Sequence, residues 1–293
     1  MFQIEKLDMH VTDACNLHCE QCDHFSNYGF RGTYSLETLE SWCKSWSHRI
    51  QPASFHILGG EPLINKQIGE IVAMCAQEWK NSRVILWSNG LLVSRHPLLP
   101  KVLKDNRVRL HISNHSTKNS AAYDKKFEES VKVLQTWYEQ TECEISIQFN
   151  NGLHIEFGKD DTGYLMKHDW VNTGESGTLW ERFYQGKGKN MMPYTDGDPQ
   201  ASWTNCTAKC PQLYMGKLHK CAPLTFLPLM HKKYDLHQAW QPYLQYDGLS
   251  PDCSDEHLHS WLELKAERFC GMCPKQRPRF HSNLDPLSVE ESR

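Results

Sequence analysis

The chain has 293 residues, 39% hydrophobic and 23% charged, with a net charge of −3. That length suits one large domain, or one of about 200 residues beside a smaller unit. The mildly acidic balance gives no basic footprint for nucleic acid, and no apolar run approaches the roughly 20 residues of a membrane span.

The opening "MFQIEKLDMHVTDAC" carries an early acid and no apolar h-region, so it does not read as a secretory signal, and a cytoplasmic location is expected. Twelve cysteines then need an account. They are clustered, and clustered cysteines in a long chain without a signal favour metal or redox chemistry over a disulfide scaffold.

Strand-like runs and helical patterns alternate over the first 150 residues. The runs are 6–12, 54–60, 83–90, 107–113 and 143–149. A helix is predicted over 35–50, with Ser35 as N-cap and Leu36, Leu39, Trp42, Cys43 and Trp46 on one face. A second is predicted over 65–80, with Ile68, Ile71, Val72, Cys75 and Trp79 at helical spacing, and a third over 121–140. Such alternation implies α/β architecture, with parallel strands joined by right-handed crossovers. A sixth strand is expected within 153–171. After about residue 172 the chain turns rich in Gly, Ser, Asp and Pro, and six cysteines fall in 206–273. Small units with little apolar core often need a metal staple. The expected division is 1–172, 173–276 and a tail over 277–293.

Two constellations carry chemistry. The first is "CNLHCEQC", Cys15, Cys19 and Cys22, directly after the first strand. Three thiolates satisfy three irons of a [4Fe–4S] cube and leave one iron open. The plain alternative is a zinc loop completed by His18 or His24. After the second strand comes "GGEP": Gly59, Gly60, Glu61 and Pro62. The glycines permit close backbone approach at the C-terminal end of a parallel strand, where α/β sites lie. The other constellation is Cys206, Cys210 and Cys221, followed by the distant pair Cys270 and Cys273. Thiolate suits both a structural zinc and an iron–sulfur cluster. Cys43, Cys75 and Cys143 sit on apolar patterns and are expected in the core.

Cys-x3-Cys-x2-Cys after strand one together with GGEP after strand two resembles the radical SAM superfamily. The resemblance implies a partial (β/α)6 TIM-like barrel and a [4Fe–4S] cluster on Cys15, Cys19 and Cys22. S-adenosylmethionine (SAM) would bind the open iron, with Gly59, Gly60, Glu61 and Pro62 at its amino group. Ser88 and Asn89, in "SNG", and Ser113 and Asn114 match more loosely the strand ends that contact SAM. Many members place an aromatic residue just before the third cysteine; here it is Gln21, with Phe25 beyond.

The C-terminal spacing resembles the twitch form of the SPASM-type extension. It implies a second, auxiliary [4Fe–4S] cluster on Cys206, Cys221, Cys270 and Cys273, with Cys210 and Cys253 left over. A reduced flavodoxin- or ferredoxin-type electron donor is implied as partner. Size and single auxiliary cluster resemble the aminocyclitol dehydrogenases, which oxidise a secondary alcohol of a small sugar-like substrate to a ketone. Alternatives are an epimerase returning hydrogen from Cys210 or Cys253, a peptide- or protein-modifying enzyme, and a zinc-stabilised binding module. A chain that begins at strand one speaks against the peptide reading. His115, at the end of strand four, is the catalytic candidate among the histidines.

Overall fold

The computed structural model describes residues 1–148, 154–160, 163–169, 179–194, 196, 198–263 and 265–288. In chain order these form β1 (Phe2–His10), α1 (Leu36–Ser47), β2 (Ile50–Leu58), α2 (Ile68–Glu78), β3 (Arg83–Ser88), α3 (Leu99–Asp105), β4 (Arg109–Ser113), α4 (Ala121–Thr141) and β5 (Ile145–Gln148). The antiparallel strands β6 (His154–Asp160) and β7 (Gly163–Asp169) follow, and then β8 (Leu179–Glu181). The C-terminal part adds α5 (Pro199–Thr204), β9 (Gln212–Tyr214), β10 (Lys217–His219), α6 (Ala222–Tyr234), α7 (Gln241–Leu244), α8 (Asp255–Leu262) and β11 (Arg279–His281).

One sheet runs β10-β9-β1-β2-β3-β4-β5-β6-β7. β1 to β5 are parallel neighbours, as the alternation predicts. The result is an α/β fold with a curled, open, mixed sheet. The expected six-strand parallel barrel is corrected here, because β6 runs antiparallel to β5. Five residues separate Gln148 from His154, and a parallel crossover needs a dozen or more. At the other edge β9 pairs parallel with β1, and β10 folds back on β9. The C-terminal hairpin therefore extends the N-terminal sheet.

Strand alternation divides β1. Leu7, Met9 and Val11 are buried beneath the helices, where the Cys43 thiol on α1 meets Met9 Sδ at 3.6 Å. Asp8 and His10 point to the other face. α1 buries Leu39, Trp42, Cys43 and Trp46, and Ser35 Oγ accepts from Thr38 N–H. α2 buries Ile68, Ile71, Val72 and Cys75, and Trp79 stacks on Phe55 of β2. Cys43, Cys75 and Cys143 are all fully buried. Pro52 is tolerated inside β2 because pairing with β3 begins only at Ser54.

The segment expected as a tail is docked. β11 pairs with β8, His18 N–H donates to Pro286 O (2.7 Å), and Thr117 Oγ1 donates to Leu284 O (2.9 Å). The C-terminal strand and the residues after it thus lie against the first cysteine loop.

Candidate functional site

The loop that leaves β1 is bound tightly to the end of β2. Gly60 N–H donates to Thr12 O (2.9 Å) and Glu61 N–H to Ala14 O (2.8 Å). A Cβ on Gly59 would meet Thr12 O at 2.6 Å, and one on Gly60 would meet Ala14 O at 2.2 Å. The glycine pair is therefore required by the cysteine loop itself, whose backbone passes where side chains would stand. Thr12 Oγ1 donates to Gly32 O (2.6 Å) and accepts from Ala14 N–H (3.1 Å), which fixes the loop's start.

Cys15, Cys19 and Cys22 then turn into one cavity of about 400 Å3. Leu17 N–H donates to Cys15 Sγ (3.4 Å). Burial, then the charge of Glu61, push the Cys15 thiol up. Burial, then Cys15 and Cys22, do the same to Cys19. Three half-buried thiols around one cavity are a donor set that a positively charged partner would deprotonate and bind.

Gln21, just before Cys22, has a left-handed φ of 59°. Its Oε1 accepts from Phe183 N–H (3.1 Å), tying the loop to the C-terminal half. Phe25 is fully buried against Tyr184 and lies off the cavity lining.

Glu61 is fully buried in the same cavity. The "SNG" turn after β3 orients it: Ser88 Oγ–H donates to Oε1 and Asn89 N–H to Oε2, both at 2.8 Å, while Leu63 N–H reaches Oε1 at 3.0 Å. Gly90, at φ 78°, permits that turn. Burial pushes the Glu61 carboxyl up to about 7, with the three hydrogen bonds pulling back. Asn89 Nδ2 also donates to Asn16 Oδ1 (2.8 Å) inside the cysteine motif. This cross-link between motifs is not visible in spacing.

Pro62 opens the one-turn helix Pro62–Ile64 beneath Glu61. Ser113 lines the cavity; Asn114 turns aside, its Oδ1 accepting from Ser116 N–H. His115 lines the cavity 3.6 Å from Cys19 Sγ and stacks on Trp180. Burial lowers its pKa to about 4, so it is neutral at pH 7. His18 is bonded to Asn27 O, whereas Cys22, Asp23 and His24 stand within 4.8 Å of one another.

The four cysteines assigned from C-terminal spacing, Cys206, Cys221, Cys270 and Cys273, line one small cavity. Burial, then Cys273, Cys206 and Cys270, push the Cys221 thiol up, and burial is the main cause that takes Cys273 to about 12. Two buried cations share the cavity. Lys220 is held by Glu267 (2.5 Å), and Arg277 Nη2 donates to Cys206 Sγ (2.8 Å). Arg277 Nη1 also reaches Glu181 Oε2 at 3.3 Å, and Glu181 lines the first cavity. One ion pair therefore spans the wall between the two thiol clusters.

The leftover cysteines go elsewhere. Cys210 packs against Asp8 and His56, off the lining of both cavities. Cys253 accepts from Arg49 Nη1 (3.5 Å) at the N-terminal end of β2. Nine strand residues, roughly 30 Å, separate that end from Gly59.

Residues 9–142 match the family model of the Radical SAM superfamily. That match places a radical SAM domain in this part of the chain and supports enzymatic activity of the radical SAM type. Solved structures with similar folds include BtrN in complex with AdoMet and 2-DOIA, at 12% identity and TM-score 0.48, covering 99% of this chain and 98% of that one. Streptococcus suis SuiB bound to precursor peptide SuiA is 18% identical at TM-score 0.39, and anSMEcpe with bound AdoMet and the Cp18Cys peptide is 21% identical at 0.36. Each covers 50% of this chain, which spans only 32% of the SuiB chain and 42% of the anSMEcpe chain. The radical SAM domain contains both Cys15–Cys22 and Gly59–Pro62, the motifs that surround the larger cavity. Among the described residues, no helix is long and apolar enough to cross a membrane.

Proposed function

We propose that this enzyme oxidises a secondary alcohol of a small, polar, sugar- or cyclitol-like substrate to a ketone. Cys15, Cys19 and Cys22 hold a [4Fe–4S] cluster, with Glu61 and the Gly59–Gly60 backbone at the amino group of SAM. Bound there and reduced by one electron from a flavodoxin- or ferredoxin-type donor, SAM supplies methionine and a 5′-deoxyadenosyl radical that abstracts hydrogen. The chain's own residues do the rest. Ser88, Asn89 and Ser113 offer hydrogen-bonding groups along the cavity wall, and Trp87 and Trp180 close it with apolar surface. Neutral His115 is positioned to take the hydroxyl proton.

Oxidation also requires one electron to leave the substrate. The single observation that carries this reading is the second thiol cluster beside the first. Four cysteines with two buried cations match a tetrathiolate group of net negative charge. Thiolate suits both zinc and an iron–sulfur cluster; zinc has no redox chemistry, so the need for an electron acceptor favours an auxiliary [4Fe–4S] cluster. Cys270→Ala is expected to keep 5′-deoxyadenosine formation while the yield of ketone per SAM cleaved falls at least tenfold. Unchanged coupling would remove the auxiliary cluster from the reaction.

Glu61 gives a pH signature. Its carboxylate form would accept a hydrogen bond from the SAM amino group, and in the SAM-free protein that form is lost below about pH 7. SAM affinity is therefore expected to fall as pH drops from 8 to 6, and to lose this dependence in Glu61→Gln. The stability of the SAM-free protein runs the opposite way. The folded carboxyl holds its proton up to about 7, so stability falls as pH rises from the ordinary carboxylate range to that value. Calorimetric SAM titration at three pH values checks the first statement, and thermal melts check the second.

A further inference from the structure

Three adjacent strands bring a third set of metal-ligating groups together. In register, Asp8 of β1 lies beside His56 of β2 on one side and Gln212 of β9 on the other. Cys210, two residues before Gln212, shares its face by strand alternation. The Asp8 carboxylate, a His56 ring nitrogen and Cys210 Sγ all lie within 4.8 Å of one another. Asp8 and His56 are buried, and none of the three is used by the chemistry proposed above.

We infer that Asp8, His56 and Cys210 form a mononuclear zinc site that staples the C-terminal cysteine region to the radical SAM domain. One sulfur, one nitrogen and one oxygen are the donors zinc accepts, and three protein ligands leave a fourth position for water. Each oxygen and nitrogen ligand already has an outer partner of the kind that orients metal ligands. His56 Nδ1 faces Asp8 Oδ1 (2.8 Å), while its Nε2 meets Ser54 Oγ (2.6 Å). Gln212 Nε2 donates to Asp8 Oδ2 (2.8 Å) and to Cys210 O (3.0 Å).

The second observation is Gln212 Oε1. It is buried without a hydrogen-bond partner, although its residue is 2% exposed. A water on the fourth zinc position gives it a donor. A thiolate, a carboxylate and a neutral imidazole around a divalent cation sum to zero charge, which suits a buried site.

Position gives the site its purpose. β9 pairs with β1 through only Asp8↔Gln212 and Met9↔Leu213. That short pairing begins the hairpin that leads straight to Cys221. An ion bound by β1, β2 and the residue before Pro211 fastens it. This assignment does not depend on what the other cysteines hold. It excludes hydrogen donation by Cys210, because a metal-held thiolate has no S–H bond.

The test is zinc and iron per chain, measured on anaerobically reconstituted protein equilibrated with zinc and then desalted. Wild type is expected to hold one more zinc than Cys210→Ala or His56→Ala, with iron equal in all three. Ser54→Ala, which keeps every ligand, is expected to bind zinc at least tenfold more weakly in chelator competition while its circular dichroism stays that of wild type. Equal zinc in wild type and Cys210→Ala overturns the assignment and leaves a metal-free thiol over an Asp–His pair. If the ligand variants fail to fold, Ser54→Ala decides alone: unchanged zinc affinity overturns the site.

Discussion

Replacing Cys15, Cys19 and Cys22 together by alanine is expected to abolish 5′-deoxyadenosine formation and to halve the iron, from about eight to about four per chain. The three thiols share one cavity with Glu61, and no other described cysteine lines it. The loop has its own backbone supports, the Thr12 and Ala14 bonds to Gly60 and Glu61 and the Gln21 bond to Phe183. Losing the sulfurs therefore removes the cluster's ligands without removing what holds the loop. The four C-terminal cysteines are separated from it by the Arg277–Glu181 pair and are expected to keep the iron proposed for them. Iron and sulfide analysis beside a product assay reads both halves. Persistent 5′-deoxyadenosine would sink the reading of the first motif. A fall from about four irons to none would leave the second cysteine set without iron, and the oxidation reading would lose its electron acceptor.

Much of this arrangement is legible in the chain because it is local. Hydrophobic spacing places α1, α2 and α4 within a few residues, since each buries one stripe against the sheet. The thiol motif and GGEP are short, and their positions after β1 and β2 follow from strand order. Other features escape for physical reasons. α6 carries Pro228 inside it, and a proline within a pattern reads as a stop; α3 is too short for periodicity to show. The strand sought within 153–171 is two antiparallel ones, because connection length rather than composition decides direction.

Long-range pairings are hidden altogether. Nothing in the spacing says that β9 adds to β1, that Arg277 joins Cys206 to Glu181, or that Cys210 stands beside Asp8 and His56. His111 illustrates the same limit. It is buried against Trp87 and bonded to Ser146 from the neighbouring strand, a pairing that spacing does not show.

Gly60→Ala is expected to cost the first cluster almost as completely as loss of its cysteines, although alanine adds a single methyl group. That methyl would sit 2.2 Å from Ala14 O, 2.6 Å from Ala14 C and 3.0 Å from Cys15 N. All three are backbone atoms, so no rotamer change relieves the contact. Either the loop lifts or the end of β2 retreats, and both break the Glu61 N–H bond to Ala14 O. Overpacking of this kind costs on the order of 1–3 kcal/mol in a core. The loop is the cheaper side to move, because β2 is fixed along its length by β1 and β3.

Cys15 is the residue next to the clash, so the displacement falls on the ligand itself. The expected result is a folded protein with near-normal helical content, about half the iron and no measurable SAM cleavage. Asn16→Ala makes the comparison: it removes the bond to Asn89 but introduces no overlap, and it should retain iron while weakening SAM binding. Full iron and full activity in Gly60→Ala would show that the loop can stand off β2. The glycine pair would then have to be explained by SAM alone.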